Sequence, residues 1–176
     1  MQQKFLQVLL ILALPLSLLG LTLAPSLAAA EKYYSEDGRF KIAFEGEPRD
    51  FHQDQDSEFG KMTWYAYAYQ SLDYLAIILY CDLPKSMTLG FNSQALLKQV
   101  GEGMADSDAV IVSQNPVNVS GTEGLEFITA KNNEYTRRIF LMAGQRIYIF
   151  GVETTQDLID SDQVVDFLNS FELVTE

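Results

Sequence analysis

Cysteine, histidine, tryptophan and basic residues are all scarce in this sequence. The chain of 176 residues contains one cysteine (Cys81), one histidine (His52) and one tryptophan (Trp64). A single cysteine excludes an internal disulfide, and a single histidine excludes any site that needs two imidazoles. A Ser–His or Cys–His catalytic pair would have to use His52, which lies in a polar segment. Hydrolytic catalysis is therefore disfavoured.

Positive charge is also in short supply. Lysine and arginine together number 12 against 24 acidic residues, which gives a formal net charge of −12. An excess of this size repels nucleic acid and anionic lipid head groups, so a nucleic-acid partner is excluded. The same charge favours cations or basic protein surfaces as partners. Solubility alone is the simpler explanation, and the sequence leaves both open.

The first thirty residues have the features of an export leader. Lys4 precedes an apolar run over residues 5–23, and the segment ends in small residues around Ala28 and Ala30. This pattern predicts a signal peptide at residues 1–30. An uncleaved anchor is the alternative, because about 19 apolar residues at ~1.5 Å each span roughly 29 Å. The predicted location is the periplasm, a thylakoid lumen or the extracellular space, with membrane contact only through an uncleaved leader.

Residues 31–176 are predicted to form a single domain organised around a β-hairpin at residues 61–82. With Ser71 and Leu72 as the turn, Tyr65 would face Ile78 across the two strands. One face would carry Met62, Trp64, Ala66, Ala68, Leu75, Ile77, Leu79 and Cys81. The other would carry Tyr65, Tyr67, Tyr69, Tyr74 and Tyr80. We interpret these tyrosines as core, with an aromatic ligand groove as the alternative.

The other segments alternate between strand and helix patterns. Before the central hairpin they predict a small hairpin at 33–44 that turns at Asp37-Gly38. After it they predict a connector at 83–91, a helix from Asn92 or Ser93 to Met104, and a strand at 109–119 that is interrupted at Asn115-Pro116. The rest of the chain is predicted to form a meander at 124–154, a helix after a capping box of Asp160 and Gln163, and a short strand at 172–175. The meander turns at Asn132-Asn133 and at Gly144-Gln145.

The meander, like the hairpin, is apolar on both faces. Its one predicted internal ion pair joins Glu126 to Arg137 diagonally, whereas Arg138 points to the other face. Antiparallel sheets usually keep one solvated face. Two strand systems without a polar face therefore predict an α+β fold, a three-layer α/β/α sandwich with a central, mainly antiparallel β-sheet.

Four acidic residues and the single histidine occupy every second position within residues 49–60. Asp50, His52, Asp54, Asp56 and Glu58 occupy every second position, so an extended segment puts all five on one side. The candidate metal ligands are His52, Asp54, Asp56 and Glu58, which would offer a divalent cation carboxylate oxygens and one imidazole. The alternative is a charged edge strand that discourages edge-to-edge aggregation. No other cofactor is predicted.

Three short segments resemble PsbP-like domains. They are residues 36–44 followed by Pro48, residues 146–150, and residues 167–171. The superfamily includes photosystem extrinsic subunits and periplasmic lipoproteins of the DcrB type, and the resemblance implies an α/β/α sandwich with a non-catalytic binding or assembly role. The chain departs from these relatives in having no lipobox cysteine and no Pro-rich, Trp-containing turn at residues 45–48.

These observations predict an exported accessory or assembly protein that is not an enzyme. Its expected partner is a larger protein or a membrane complex with a basic surface, photosynthetic complexes included. The alternative is a periplasmic protein that binds a small ligand or a divalent cation.

Overall fold

The computed structural model describes residues 31–57, 60–88 and 92–174. The predicted leader and Glu58 of the predicted metal site lie outside these residues. The strands are β1 (Tyr33–Ser35), β2 (Phe40–Ile42), β3 (Arg49–Ser57), β4 (Gly60–Gln70), β5 (Leu75–Asp82), β6 (Val110–Val119), β7 (Thr122–Lys131), β8 (Glu134–Ala143), β9 (Arg146–Thr155) and β10 (Glu172–Leu173). The helices are α1 (Lys85–Thr88), α2 (Ser93–Met104) and α3 (Asp162–Asn169), with a 3₁₀ turn at Gln156–Leu158.

Most strands belong to one antiparallel sheet. Its seven strands follow the order β3-β4-β5-β9-β8-β7-β6, which leaves β3 and β6 at the two edges. A separate sheet has the order β1-β2-β10, so the last strand of the chain lies beside one of the first. The predicted central antiparallel sheet is confirmed.

Each face of the large sheet is buried by a different layer. One face packs against α1 and α2 through Met62, Leu79, Cys81, Met87, Leu96, Leu97, Phe127, Phe140, Ile147 and Ile149. The opposite face packs against α3 and the small sheet through Phe40, Ile42, Ile78, Tyr80, Leu141, Tyr148, Phe150, Val164, Phe167 and Phe171. The three-layer arrangement is confirmed. The small sheet shares the second layer with α3, which the sequence did not predict because β1, β2 and β10 are only two or three residues long.

The central hairpin has the predicted faces and a different register. Tyr65 pairs with Tyr80 and not with Ile78, a shift of two residues that leaves every side chain on its predicted face. The turn lies one residue later than predicted, because the backbone N–H of Ser71 donates to the Tyr74 carbonyl (2.9 Å) and leaves Leu72 and Asp73 as the central residues. The Ser71 hydroxyl also accepts from the N–H groups of Asp73 and Tyr74. A side-chain bond of this kind stabilises a four-residue turn.

The C-terminal helix begins one residue later than the capping box predicts. Ser161 is the N-cap, and its hydroxyl accepts from the N–H of Val164. Asp160 instead binds Arg137, and the Gln163 amide donates to Glu45. The prediction was wrong because long-range partners occupy both side chains of the supposed box. The cap predicted at Asn92 is confirmed, since its side chain accepts from the N–H groups two and three residues on.

The first hairpin turns around Asp37 and Gly38 as predicted, and its residue with positive φ is Arg39 (54°). The predicted connector at 83–91 includes the helical turn α1. One local prediction was wrong. Strand β6 runs through Pro116 without interruption. It tolerates the proline because an edge strand can direct that nitrogen away from the sheet.

The meander matches its prediction closely. Its turns fall at Asn132 and Gly144, both with positive φ, and its two faces enter the two layers as expected. No helix in the described residues is both long and apolar enough to cross a membrane.

Candidate functional site

Three of the four predicted metal ligands lie on the exposed side of edge strand β3. His52, Asp54 and Asp56 are exposed, whereas Gln53 and Gln55 between them are half-buried. Among the described residues, β3 is the last strand on its side of the sheet. The predicted solvated edge strand is confirmed.

The carboxylate of Asp54 is already engaged by the neighbouring strand. Lys61 lies 2.6 Å from its Oδ2, and the Thr63 hydroxyl donates to its Oδ1 at 2.7 Å. The hydrogen bond from Lys61 is the main reason that the pKa of Asp54 is lowered. A cation at this position would have to compete with an ammonium group for the same oxygens.

The other predicted ligands do not complete a site within the described residues. The ring of His52 packs 6.4 Å from the ring of Tyr65. Within residues 31–57, 60–88 and 92–174, no group of three or more His, Cys, Asp or Glu side chains is arranged to hold a metal ion. The predicted set extends to Glu58, so the four-ligand site stays a prediction.

Cys81 is fully buried on the face covered by α2, as predicted. Burial raises the pKa of its thiol from the usual 9.0 to about 12, and the nearby Asp82 carboxylate adds to the rise. A nucleophilic cysteine needs a thiolate near neutral pH. Cys81 is a protonated core residue under those conditions.

The tyrosine face is a packed layer beneath the small sheet. Phe40 of β2 lies 5.8 Å from the ring of Tyr67 and 6.1 Å from that of Tyr80. The Tyr148 hydroxyl donates to the Gly38 carbonyl at 2.8 Å, which anchors the β1–β2 turn. Burial is the main cause of the raised pKa of Tyr80. The interpretation of these tyrosines as core is correct for Tyr74 and Tyr80, which are 5% and 2% exposed.

At one end of this layer the tyrosines reach solvent. Tyr65 is 41% exposed and stacks on Tyr80 with 5.0 Å between ring centroids. The Arg146 guanidinium lies 4.9 Å from the Tyr80 ring, and Asp82 holds it through Oδ2 at 2.6 Å. This end is a stacked surface in which the arginine is already neutralised by a carboxylate.

Acidic residues are concentrated around α3, which was not predicted from the sequence. Residues 147–176 contain seven acidic residues and no lysine, arginine or histidine. Asp157, Asp162 and Asp166 are exposed, and the last two lie one turn apart on the same side of α3. We call these three residues the acidic helix surface. A count of charge per segment would have found it.

The comparisons with known proteins return matches only among solved structures. No family model and no curated protein matches the sequence. The chain is similar to the solution structure of cyanobacterial PsbP (CyanoP) from Synechocystis sp. PCC 6803, with 10% identity and a TM-score of 0.49 over 87% of this chain and 98% of that one. It is also similar to the crystal structure of PA94 from Pseudomonas aeruginosa, a protein of unknown function, with 11% identity and a TM-score of 0.31 over 73% of this chain and 85% of that one. Both TM-scores are below 0.5, and neither match assigns a family or a function.

Proposed function

We propose that this chain is an exported accessory protein that binds a larger protein or membrane complex and performs no catalysis of its own. The observation that carries the proposal is the acidic helix surface, a group of exposed carboxylates in a segment without a single basic residue. Uncompensated charge of one sign attracts a surface of the opposite sign and accelerates its association. The partner surface is therefore basic.

The chemistry of the reactive side chains supports a binding role. A catalytic nucleophile needs a base within hydrogen-bond reach. In the described residues the single histidine lies on an exposed sheet edge beside Tyr65, and the single cysteine is buried and protonated on β5. Neither arrangement provides an activated nucleophile.

The leader and the sequence resemblance supply the cellular setting of the proposal. A segment with the features of residues 1–30 directs export to a periplasm, a thylakoid lumen or the cell exterior. PsbP-like domains include accessory subunits of photosynthetic complexes, so a complex of that kind is the first partner to test.

The test is affinity capture of the tagged mature protein from host membranes over a series of ionic strengths. Two triple variants carry the same change of charge: Asp157, Asp162 and Asp166 to Asn on the acidic helix surface, and Asp50, Asp54 and Asp56 to Asn on β3. We expect the helix variant to lose most of the captured partner and most of the salt dependence, because exposed charges act mainly through screened association. The β3 variant should keep most of both.

Two results would overturn the proposal. One is capture that neither triple variant alters at any salt concentration. The other is the absence of any enriched partner while calorimetry detects a tight small ligand or divalent cation. The second result would establish the alternative role as a ligand-binding protein.

A further inference from the structure

The two edges of the seven-stranded sheet have opposite chemistry. Strand β3 carries Arg49, Asp50, Asp54 and Asp56, all exposed, whereas the ten residues of β6 include no charged side chain. Proteins commonly place charges on edge strands because a bare edge pairs with other chains. One edge of this sheet follows that rule and the other does not.

The first half of β6 exposes three consecutive apolar side chains. Val110, Ile111 and Val112 are 65%, 40% and 55% exposed. A β-bulge between Ile111 and Ser113 adds a residue to the strand, and the usual alternation of faces is lost there. The other large apolar side chains of comparable exposure in the described residues are separate from one another in the sequence: Tyr34, Tyr65 and Leu72.

Pro116 sets the far end of the available edge. Proline has no backbone N–H, and in an edge strand its nitrogen is directed away from the sheet. A strand added outside β6 would therefore meet no donor at that position. The segment that remains is residues 110–115, which spans roughly 20 Å at about 3.3 Å per residue. We call it the open edge.

Two carboxylates lie beside the other end of the open edge, where β6 begins. Asp106 and Asp108 precede β6, and both bind the same Lys131 ammonium, at 3.1 Å and 2.9 Å. Asp106 also interacts with Arg138, which Glu153 shares, so three carboxylates face two cations and a net negative charge remains in this group. The partner most compatible with this end carries a lysine or arginine next to its apolar residues.

We propose that the open edge accepts an extended segment of a partner protein as an additional strand, with apolar side chains over Val110–Val112 and basic residues beside Asp106 and Asp108. Backbone hydrogen bonds would supply affinity, and the flanking charges would select the segment. A second copy of this chain is a poorer occupant, because it brings another net charge of −12. The open edge is on β6, whereas the acidic helix surface is on α3 and the 3₁₀ turn before it, so the inference stands apart from the proposed function.

The probe is a fluorescein-labelled peptide of alternating valine and threonine with a lysine pair at each end. We expect it to bind the wild-type protein and to slow amide hydrogen exchange within residues 110–115. Val112→Lys should weaken binding by roughly tenfold or more, because a charge on the edge opposes strand pairing and repels the lysines. Val110→Lys provides a second variant at a more exposed position. Leu72→Lys is the matched control, since it adds the same charge at an apolar residue that is 97% exposed in the β4–β5 loop, and it should bind like the wild type.

Each alternative outcome removes the proposal. The strand-addition site is wrong if the peptide does not bind, if Val112→Lys and Val110→Lys bind it as tightly as Leu72→Lys does, or if protection falls outside β6. Equal binding of a peptide with glutamate in place of lysine overturns the basic partner. A wild-type dimer in sedimentation experiments that Val112→Lys dissociates assigns the open edge to a second copy. The capture experiment tests the proposed function separately. If neither triple variant, on the acidic helix surface or on β3, altered capture, the peptide result for the open edge would still stand.

Discussion

Arg137 and Glu126 form an ion pair between neighbouring strands, with 2.8 Å from Nε to Oε1, although they are diagonal and not opposite in the ladder. The side chain of Arg137 is 19% exposed and that of Glu126 is 10% exposed. The same guanidinium donates to Asp160 at 2.9 Å, just ahead of α3. One arginine therefore connects β7 and β8 with the start of the C-terminal helix.

Replacing this arginine should be costly for the fold. Arg137→Met leaves the Glu126 carboxylate nearly buried without its partner, and the free energy of unfolding should fall by about 3 kcal/mol. Urea unfolding monitored by circular dichroism measures the loss. Lys98→Met breaks an exposed pair with Glu102 (3.8 Å), and should cost only a few tenths of a kcal/mol by comparison. A loss below about 1 kcal/mol for Arg137→Met would mean that the carboxylate relaxes into solvent.

Gly151 should not tolerate a side chain. A Cβ at this position would lie 2.2 Å from the carbonyl oxygen of Arg137 and 2.7 Å from the Cα of Arg138, and neither backbone atom can move aside alone. Gly151→Ala should destabilise the protein by about 3 kcal/mol or more. Gly103→Ala is the control, because nothing lies within 4 Å of its Cβ and alanine favours the helix by about 0.5–1 kcal/mol. Thermal unfolding of the two variants should shift in opposite directions, and a shared sign would contradict this account.

Stability should decline at alkaline pH. Burial raises the pKa of Cys81 from 9.0 to about 12 and that of Tyr33 from 10.0 to about 12. A group whose pKa is raised on folding binds its proton more tightly in the folded state. Its contribution is complete below the unfolded pKa and is lost as the pH rises through the folded pKa. The free energy of unfolding should therefore fall between pH 9 and pH 12.

The variant Cys81→Ala isolates the thiol in that pH series. It should show a shallower decline than the wild type, starting nearer pH 10, where the tyrosines take over. Alkylation by iodoacetamide at pH 8 provides an independent check: the native protein should resist it and the urea-unfolded protein should react. Rapid labelling of the native protein would show that Cys81 is accessible.

Trp64 tests how firmly β4 is held by the core on the α1 and α2 side of the sheet. Its ring is half-buried against that cluster, and its indole N–H donates to Gln55 at 3.2 Å. Trp64→Ala should cost about 3 kcal/mol, the lower end of the range for a truncated aromatic, because part of the ring is exposed. Leu72→Ala removes a side chain that is 97% exposed and should change little. Equal effects of the two substitutions would place Trp64 on a free surface.

The faces of the strands could be predicted from the sequence, whereas their register could not. Alternation of side chains assigns Tyr80 and Cys81 to opposite faces whatever the loop length. The two-residue shift of the hairpin depends on how the Ser71 hydroxyl binds the loop, and the later helix start depends on Arg137 occupying Asp160. The hairpin register and the helix start both depend on which hydrogen-bond partner a side chain selects. A partner that is distant in the sequence leaves no pattern in the residues around that side chain.

The same limit applies to the candidate sites. Alternating charges predicted an exposed extended segment at 49–60, but only the β3–β4 register brings Lys61 to Asp54. The lack of charge in β6 is visible in the sequence, while its position at a sheet edge is a property of the fold. The composition of a strand therefore shows which side chains it carries. The order of strands in the sheet decides which neighbours those side chains contact.

Strand β2 lies between β1 and β10, so the early hairpin is paired with the end of the chain: the N–H of Val174 donates to the Arg39 carbonyl at 2.9 Å, and Lys32 binds Glu172 at 2.5 Å. A nascent chain that has reached only β9 possesses the complete large sheet. It lacks α3, β10 and Phe171, so the rings of Tyr148 and Phe150 that pack on Phe171 are then uncovered. Closing the domain is consequently a late event in synthesis, and partly made chains expose an aromatic surface that a chaperone can recognise.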